Sequence, residues 1–301
     1  MKQFHYSAYG LTFTSAFEIR GLLECIGEQE EVILKMGKID TSPFSIKKGF
    51  LIREMTPDGF LFCVENVAAF LISDGKHITI DAYTEDKGVW ETLLLGPVMA
   101  ALLQQNGFLT LHGSAFLFEE KAVLMLGATG VGKSSLAMAL HKKGNCYLTD
   151  DICAITFSTE GEPLLYLGSS HVNLWEDSIE ALGLSQNTSH QIRLGLSRHQ
   201  FIMDLPRLNK CHPIKRVYLL EVGSIQDDIL AAQKLDLMSS IKLLYKNIYG
   251  INSLRDMELE NESFKMIHIM AAQITCSKLD RQHAQMDIKL VAEHLESFLK
   301  L

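Results

Sequence analysis

A glycine-rich segment of eight residues constrains this chain more than any other feature. It reads Gly-Ala-Thr-Gly-Val-Gly-Lys-Ser over residues 127–134 and fills every fixed position of the pattern G-x-x-x-x-G-K-[ST]. An apolar stretch at 122–126 predicts a strand that enters the segment, and residues 133–143 predict a helix that follows it. Glycines let successive backbone N–H groups converge on an anion. The segment therefore predicts a phosphate-binding loop between a strand and a helix.

This loop predicts the ligands of ATP and Mg²⁺. Lys133 is expected to reach the β and γ phosphates, and Ser134 to offer a hydroxyl oxygen to Mg²⁺. The positive end of the dipole of the following helix points at the same charge. The residues expected to bind nucleotide are Gly127, Ala128, Thr129, Gly130, Val131, Gly132, Lys133, Ser134 and Ser135.

Composition excludes several classes of protein. The 301 residues are 47% hydrophobic, which suits a substantial core. With 28 basic and 36 acidic residues the net charge is −8, so we expect no nucleic-acid partner. The longest apolar run, 93–103, is shorter than the roughly 18 residues of a membrane span. The start of the chain lacks the apolar stretch of a signal peptide, so the sequence predicts a cytoplasmic protein without a membrane partner.

Six cysteines are scattered along the chain without a C-x-x-C pair. This spacing fits neither a zinc site nor a disulfide framework. We therefore expect free thiols at Cys25, Cys63, Cys146, Cys153, Cys211 and Cys276.

The hydrophobic pattern changes near residue 92, which predicts two domains. Short β-prone stretches fill the first part, and we expect a small β-rich domain over 1–91. Residues 92–301 predict an α/β domain with a mixed sheet that carries the loop. The predicted strands are 31–34, 50–53, 60–64, 78–80, 109–112, 122–126, 146–149 and 216–221. The predicted helices are 92–107, 133–143, 239–249, 263–274 and 286–299.

Two adjacent acids, Asp150 and Asp151, follow the strand predicted at 146–149 and precede apolar residues. Neighbouring carboxylates in such surroundings repel unless a cation or a proton relieves the repulsion. One could bind the metal while the other faces an attacking hydroxyl. The alternative is a solvated turn, where Asp is common.

His112 ends the strand that precedes the loop strand and is followed by Gly113 and Ser114. From pattern alone, a histidine in an apolar stretch is more often a satisfied core or loop residue than a functional one.

Three segments in this order resemble the HPr kinase/phosphorylase family, whose kinase domain shares its fold with phosphoenolpyruvate carboxykinases. They are Leu-His-Gly-Ser at 111–114, the loop at 127–134, and Thr-Asp-Asp at 149–151. The resemblance implies catalytic roles for His112, Asp150 and Asp151. It makes Asp150 the general base, Asp151 a metal-side carboxylate beside Ser134, and His112 their partner.

The chain departs from that family after Asp151, where the E-I-R-G-L-G-I type signature has no counterpart. Residues 166–177 look instead like a shorter branch of HPr-kinase-like proteins. Residues 6–11 and 107–113 are similar to kinases that accompany the biosynthesis of ribosomally made peptides, notably lasso peptides. This resemblance implies ATP- and Mg²⁺-dependent phosphorylation of a precursor peptide, at its C-terminal serine. Phosphorylase activity is not implied.

Two other functions stay open on the sequence. One is a classical HPr kinase, which acts on a folded carrier protein. The other is a nucleotide-binding regulator without transfer chemistry, which the missing signature glutamate permits. A GTPase is disfavoured because residues 209–212 lack the Asp of the N-K-x-D base reader, and a transporter ATPase because no L-S-G-G-Q segment is found.

The acceptor site has only candidate residues, the cations Arg193, Arg198, His199 and Arg207. They could bind phosphate or a peptide carboxylate, although scattered cations more often form a solvated face. The oligomeric state, including a homo-oligomer, is left open by the sequence.

Overall fold

A computed structural model of the chain describes residues 3–26, 31–44, 51–184, 189–191, 198–203, 211–223, 230–281 and 287–300. Within these ranges the protein is a mixed α/β structure with three sheets. The mixed α/β class expected from the sequence is therefore confirmed. No helix in the described ranges is long and apolar enough to cross a bilayer.

The first sheet has eight strands in the order β3-β1-β2-β4-β8-β7-β6-β5. Strands β5 to β8 form an antiparallel meander, while β4 runs parallel to both β2 and β8. The strands expected near 31–34, 50–53, 60–64 and 78–80 correspond to β4, β5, β6 and β8. The bounds are β1 Phe4–Ala8, β2 Leu11–Ser15, β3 Leu23–Glu24, β4 Val32–Met36, β5 Leu51–Thr56, β6 Gly59–Val64, β7 Ala68–Ser73 and β8 His77–Ala82.

The helix expected at 92–107 is broken into α1 (Lys87–Leu93), a π-helical turn (Leu94–Val98) and α2 (Met99–Gln105). Pro97 lies inside it and Gly96 is non-helical, with φ −102° and ψ −106°. Proline removes a helical hydrogen bond and clashes with the preceding turn, which explains the break. Buried residues of α1 and α2 pack into the core of the first sheet. The boundary after residue 91 stays a prediction.

The second sheet has the order β10-β9-β12-β13-β17-β19-β18, with β11 also paired to β9. Its long strand β9 changes partner along its length, pairing with β12 up to His112 and with β10 from Gly113. The bounds are β9 Leu109–Phe118, β10 Lys121–Leu126, β11 Cys146–Thr149, β12 Ile152–Phe157, β13 Pro163–Tyr166, β17 Cys211–Val222, β18 Leu230–Lys234 and β19 Thr275–Arg281.

Three strands of this sheet are parallel neighbours. β10 runs parallel to β17, and β17 parallel to β19. Their carboxyl ends, Leu126, Val222 and Arg281, therefore meet at one edge. In α/β sheets this edge is where ligands bind.

The third sheet has the order β14-β16-β15. The helix predicted at 133–143 is α3, and those predicted at 239–249, 263–274 and 286–299 correspond to α5, α7 and α8. The bounds are β14 His171–Trp175, β15 Ser189–Gln191, β16 Arg198–Ile202, α3 Lys133–Lys142, α4 Glu176–Leu182, α5 Leu237–Lys246, α6 Ile251–Asp256, α7 Glu260–Gln273 and α8 Ile288–Lys300. All six cysteines are free, as expected.

Candidate active site

The glycine loop joins β10 to α3 as the sequence predicts. Gly127 has φ +142°, and a Cβ placed on it would lie 2.5 Å from the carbonyl oxygen of Leu220. Gly132 has φ +99° and directly precedes the first residue of α3. Side chains rarely adopt these backbone angles, so glycine is required at both positions. The loop thus lies tightly against β17 and aims the N-terminus of α3 into a cavity.

Lys133 folds back over this loop and is buried. Its Nζ donates to the carbonyl oxygens of Gly127 (2.9 Å) and Ala128 (3.2 Å). The same atom lies 3.4 Å from Nε2 of His112. The ammonium group is therefore held at the start of the loop, between the loop and His112.

Asp150 is enclosed by hydrogen-bond donors. Its Oδ1 accepts the hydroxyls of Ser134 (2.8 Å) and Ser114 (2.5 Å), and its Oδ2 accepts the backbone N–H of Asn173 (3.2 Å). The residue is only 3% exposed. Asp150 is thus fixed beside the loop hydroxyl that was expected to bind Mg²⁺.

Asp151 points elsewhere because its backbone is left-handed, with φ +72°. This angle is uncommon for a residue with a side chain and is typical of functional sites. The backbone N–H of Gly113 donates to its carbonyl oxygen at 3.2 Å. Its carboxylate lies 3.2 Å from Nδ1 of His112 and accepts the Tyr249 hydroxyl at 3.0 Å. The side chain is 22% exposed and lines the cavity.

The surroundings of Asp151 keep it ionised. Burial acts to raise the pKa of its carboxyl group. The hydrogen bond and electrostatic attraction from His112, the attraction from His171 and the hydrogen bond from Tyr249 outweigh burial and hold the pKa below its ordinary value. A carboxylate facing the cavity is available to accept a hydrogen bond from a hydroxyl group.

These contacts bear on the roles of the two acids. The sequence-based prediction made Asp150 the base and Asp151 the metal-side carboxylate. In the structure it is Asp150 that contacts Ser134, while Asp151 contacts His112 and faces the cavity. The contacts therefore favour the reverse division, because the two side chains diverge at the left-handed residue.

The residues around Ser134 fit Mg²⁺. This ion prefers oxygen ligands and is usually held by one or two carboxylates together with substrate phosphates. The Ser134 hydroxyl and the Asp150 carboxylate are such ligands, and the buried Oδ1 of Asn173 has no hydrogen-bond partner in the described chain. The described residues contain no group of three or more His, Cys, Asp or Glu that could hold a metal.

Two cavities meet at His112 and Asp151. One, of about 920 Å³, contains loop residues through Ser135 and extends to Trp175 and Ser178. The other, of about 1120 Å³, lies along Gly127–Val131 and extends past Lys242 and Lys246. Both cavities are also lined by Thr129, Gly130 and Tyr249, so open space lies on both sides of the His112–Asp151 pair.

Three residues of this site were not predicted as functional from the sequence. Ser114 was noted only as part of the His-Gly-Ser motif, although its hydroxyl contacts Asp150. Tyr249 and Arg281 belong to no sequence motif. Arg281 is brought to the loop because β19 pairs with β17, and Tyr249 lies between α5 and α6.

Most of the candidate acceptor cations lie outside the part of the chain that the structure describes. Arg193 and Arg207 lie outside the described residues, as does the side chain of Arg198. His199 pairs with Glu176 at 3.4 Å. Their role at an acceptor site stays a prediction.

Comparisons with known proteins add little to this geometry. No family model matches the sequence, and no curated protein matches it. Among solved structures, that of the Hpr(Ser) kinase/phosphatase from Coxiella burnetii aligns with 64% of this chain and 95% of its own, at 14% sequence identity and a TM-score of 0.35. A likeness this distant does not identify the activity, so a functional assignment depends on the site itself.

Proposed function

We propose that this protein is a Mg²⁺-dependent kinase that transfers the γ-phosphoryl group of ATP to a serine hydroxyl. The observation that carries the proposal is the convergence of three groups on one cavity: the glycine loop with Lys133, the Ser134–Asp150 pair, and the His112–Asp151 pair. The first suits a polyphosphate, the second a hydrated Mg²⁺, and the third a hydroxyl acceptor.

The chain's own residues account for positioning and charge. Backbone N–H groups of the loop and the start of α3 bind the phosphates, and Lys133 contacts the β and γ oxygens. Ser134 and Asp150 would hold Mg²⁺, which would neutralise phosphate charge once bound with the nucleotide.

Asp151 accepts the proton of the serine hydroxyl on the acceptor side. The bond between the serine oxygen and the γ-phosphorus forms, the bond from that phosphorus to the β-bridging oxygen breaks, and ADP leaves. His112 and Tyr249 orient the carboxylate for this step. The assignment of the base to Asp151 rests on its contacts and its exposure to the cavity.

For the acceptor we propose the C-terminal serine of a ribosomally made precursor peptide of the lasso-peptide type. The proposal is supported by the resemblance of residues 6–11, 107–113 and 166–177 to such kinases and by the missing E-I-R-G-L-G-I signature. A flexible peptide end can enter a cavity at modest ordering cost.

The test offers Mg·ATP with three acceptors: precursor-type peptides that end in Ser, the same peptides that end in Ala, and HPr. Mass spectrometry should show a gain of about 80 Da, one phosphate group, on the Ser-ended peptides alone. Omission of Mg²⁺ should stop the reaction. Phosphorylation of HPr with none on the peptides would make the protein a carrier-protein kinase. ATP binding without transfer to any acceptor would favour a nucleotide-binding regulator.

A further inference from the structure

Arg281, the last residue of β19, is a buried cation without a countercharge in the described chain. The residue is 4% exposed, and its Nε is buried without a hydrogen-bond partner among the described residues. No ion pair joins it to a carboxylate within those residues. Burying a charge without a partner is costly, so such a side chain points to a ligand that supplies the opposite charge.

The position of Arg281 shows where such a ligand would bind. Its guanidinium nitrogens lie 3.4 and 3.5 Å from the point where a Cβ on Gly132 would be. The side chain lines the same cavity as Thr129, Gly130 and Ser134. Because β10, β17 and β19 are parallel, Arg281 reaches the loop from the sheet edge at which β10 ends. It therefore lies at the end of the loop opposite to the Lys133 ammonium, which contacts Gly127 and Ala128.

Two other cations of the described chain are neutralised by carboxylates. Lys278, on the same strand, pairs with Glu221 at 3.1 Å and with Asp280 at 3.0 Å. Arg255 pairs with Glu260 at 3.0 Å. This contrast within the described chain separates Arg281 from cations that serve to stabilise the fold.

We propose that Arg281 binds the phosphate groups of the nucleotide at the Gly132 end of the loop, as a second cation in addition to Lys133. This inference rests on the proposed function, since it requires a polyphosphate in the loop. The planar guanidinium can donate two parallel hydrogen bonds to phosphate oxygens. Since the Lys133 ammonium lies beside His112, where the γ-phosphate meets the acceptor, Arg281 contacts the phosphates that stay on ADP. It binds the leaving group and stabilises the charge that develops there during transfer.

Calorimetric titration with Mg·ADP and with pyrophosphate tests this role without requiring turnover. We expect Arg281→Gln to weaken binding of both ligands at least about 10-fold, because charged hydrogen bonds to phosphate are lost. Arg281→Lys keeps the positive charge but loses the paired N–H donors of the guanidinium, so it should bind both ligands with intermediate affinity. In transfer assays kcat/KM for ATP should fall about 100-fold or more in Arg281→Gln. Arg255→Gln, which removes a surface ion pair, is the matched control and should bind ADP like the wild type.

Thermal unfolding separates ligand binding from a structural role. If Arg281 serves the ligand, Arg281→Gln should unfold without ligand at a temperature equal to or above that of the wild type, because an unpaired buried charge has been removed. The rise in unfolding temperature with ADP should shrink. A variant with lowered stability and unchanged affinity for ADP would show a structural role and overturn the inference.

The outcomes also separate this inference from the proposed function. If the wild type binds neither ADP nor pyrophosphate, the nucleotide function itself is wrong and the inference goes with it. If the wild type binds both and Arg281→Gln binds them equally well, the kinase proposal stands and only the role of Arg281 is refuted.

Discussion

The phosphate side of the site (Lys133, Ser134 and Asp150) and the acceptor side (His112, Asp151 and Tyr249) are built in different ways. On the phosphate side, Asp150 is 3% exposed and accepts three hydrogen bonds from the protein. On the acceptor side, Asp151 faces the cavity from a left-handed backbone. A group that holds a metal benefits from fixed geometry, whereas a base must remain open to its substrate. Two adjacent residues can thus perform separate tasks because one backbone angle turns their side chains apart.

The largest effect is expected from Lys133→Ala, which removes the charge at the junction of the two sides. Transfer should fall about 1000-fold or more, because a cation on the transferring phosphate acts in the transition state. Steady-state kinetics with Mg·ATP and a Ser-ended peptide measures the loss. Lys265→Ala, at an exposed position of α7, is the matched control. Turnover near the wild-type rate in Lys133→Ala would remove the loop from the mechanism.

Substitution of the two aspartates gives the sharpest test of the difference between the phosphate side and the acceptor side. Asp151→Asn should lower kcat about 100-fold or more while the affinity for Mg·ATP stays close to that of the wild type, since a base acts on the hydroxyl. Asp150→Asn should weaken Mg·ATP binding, because it removes a carboxylate from the metal side. Calorimetric titration with Mg·ATP and single-turnover kinetics measure the two effects separately. The opposite pattern would restore the original assignment, with Asp150 as the base.

Much of the phosphate side could be predicted from the sequence, because its pattern is local. The strand, the glycines, Lys133 and Ser134 lie within one continuous segment, and the spacing alone indicates their roles. The Asp pair was also visible as two charges after a strand. The backbone angle that separates these charges is not encoded in such a pattern.

The acceptor side and Arg281 depend on contacts between distant parts of the chain. Tyr249 is fixed by Thr110, whose carbonyl oxygen accepts its N–H at 2.9 Å, and by Gln104, which donates to its carbonyl oxygen at 2.8 Å. Arg281 reaches the loop only because β19 pairs in parallel with β17. Single-sequence periodicity predicts strands and helices but not which strands become neighbours, so these residues could not be found.

A smaller effect is expected from Tyr249→Phe, which removes one hydrogen bond to Asp151 and keeps the ring beside His112. A hydrogen bond to a charged group contributes about 1.5–3 kcal/mol, so kcat should fall between about 10-fold and about 150-fold. The KM for ATP should not change, because the hydroxyl lies on the acceptor side. Initial rates at varied ATP and varied peptide measure both. A change confined to the KM for ATP would show that Tyr249 belongs to the phosphate side.

The smallest effect concerns Gly96, in the π-helical turn that forms one wall of the cavity. A Cβ on this residue would lie 3.1 Å from the Tyr249 hydroxyl and 3.8 Å from the Asp151 carboxylate. In Gly96→Ala the hydroxyl must move by a few tenths of an ångström, which weakens its hydrogen bond to Asp151. We expect kcat to fall about threefold, with ATP affinity unchanged, because small displacements from the reactive geometry reduce the rate.

A double-mutant cycle tests whether the effect of Gly96→Ala passes through the Tyr249 hydroxyl. In a Tyr249→Phe background that hydroxyl is absent, so adding Gly96→Ala should lower kcat very little further. The unfolding temperatures of the four proteins measure any cost to stability separately. If Gly96→Ala reduces kcat by the same factor in both backgrounds, the π-helical turn contacts the acceptor directly. Tyr249 would then not transmit the effect, and the acceptor side would extend from Asp151 to the π-helical turn itself.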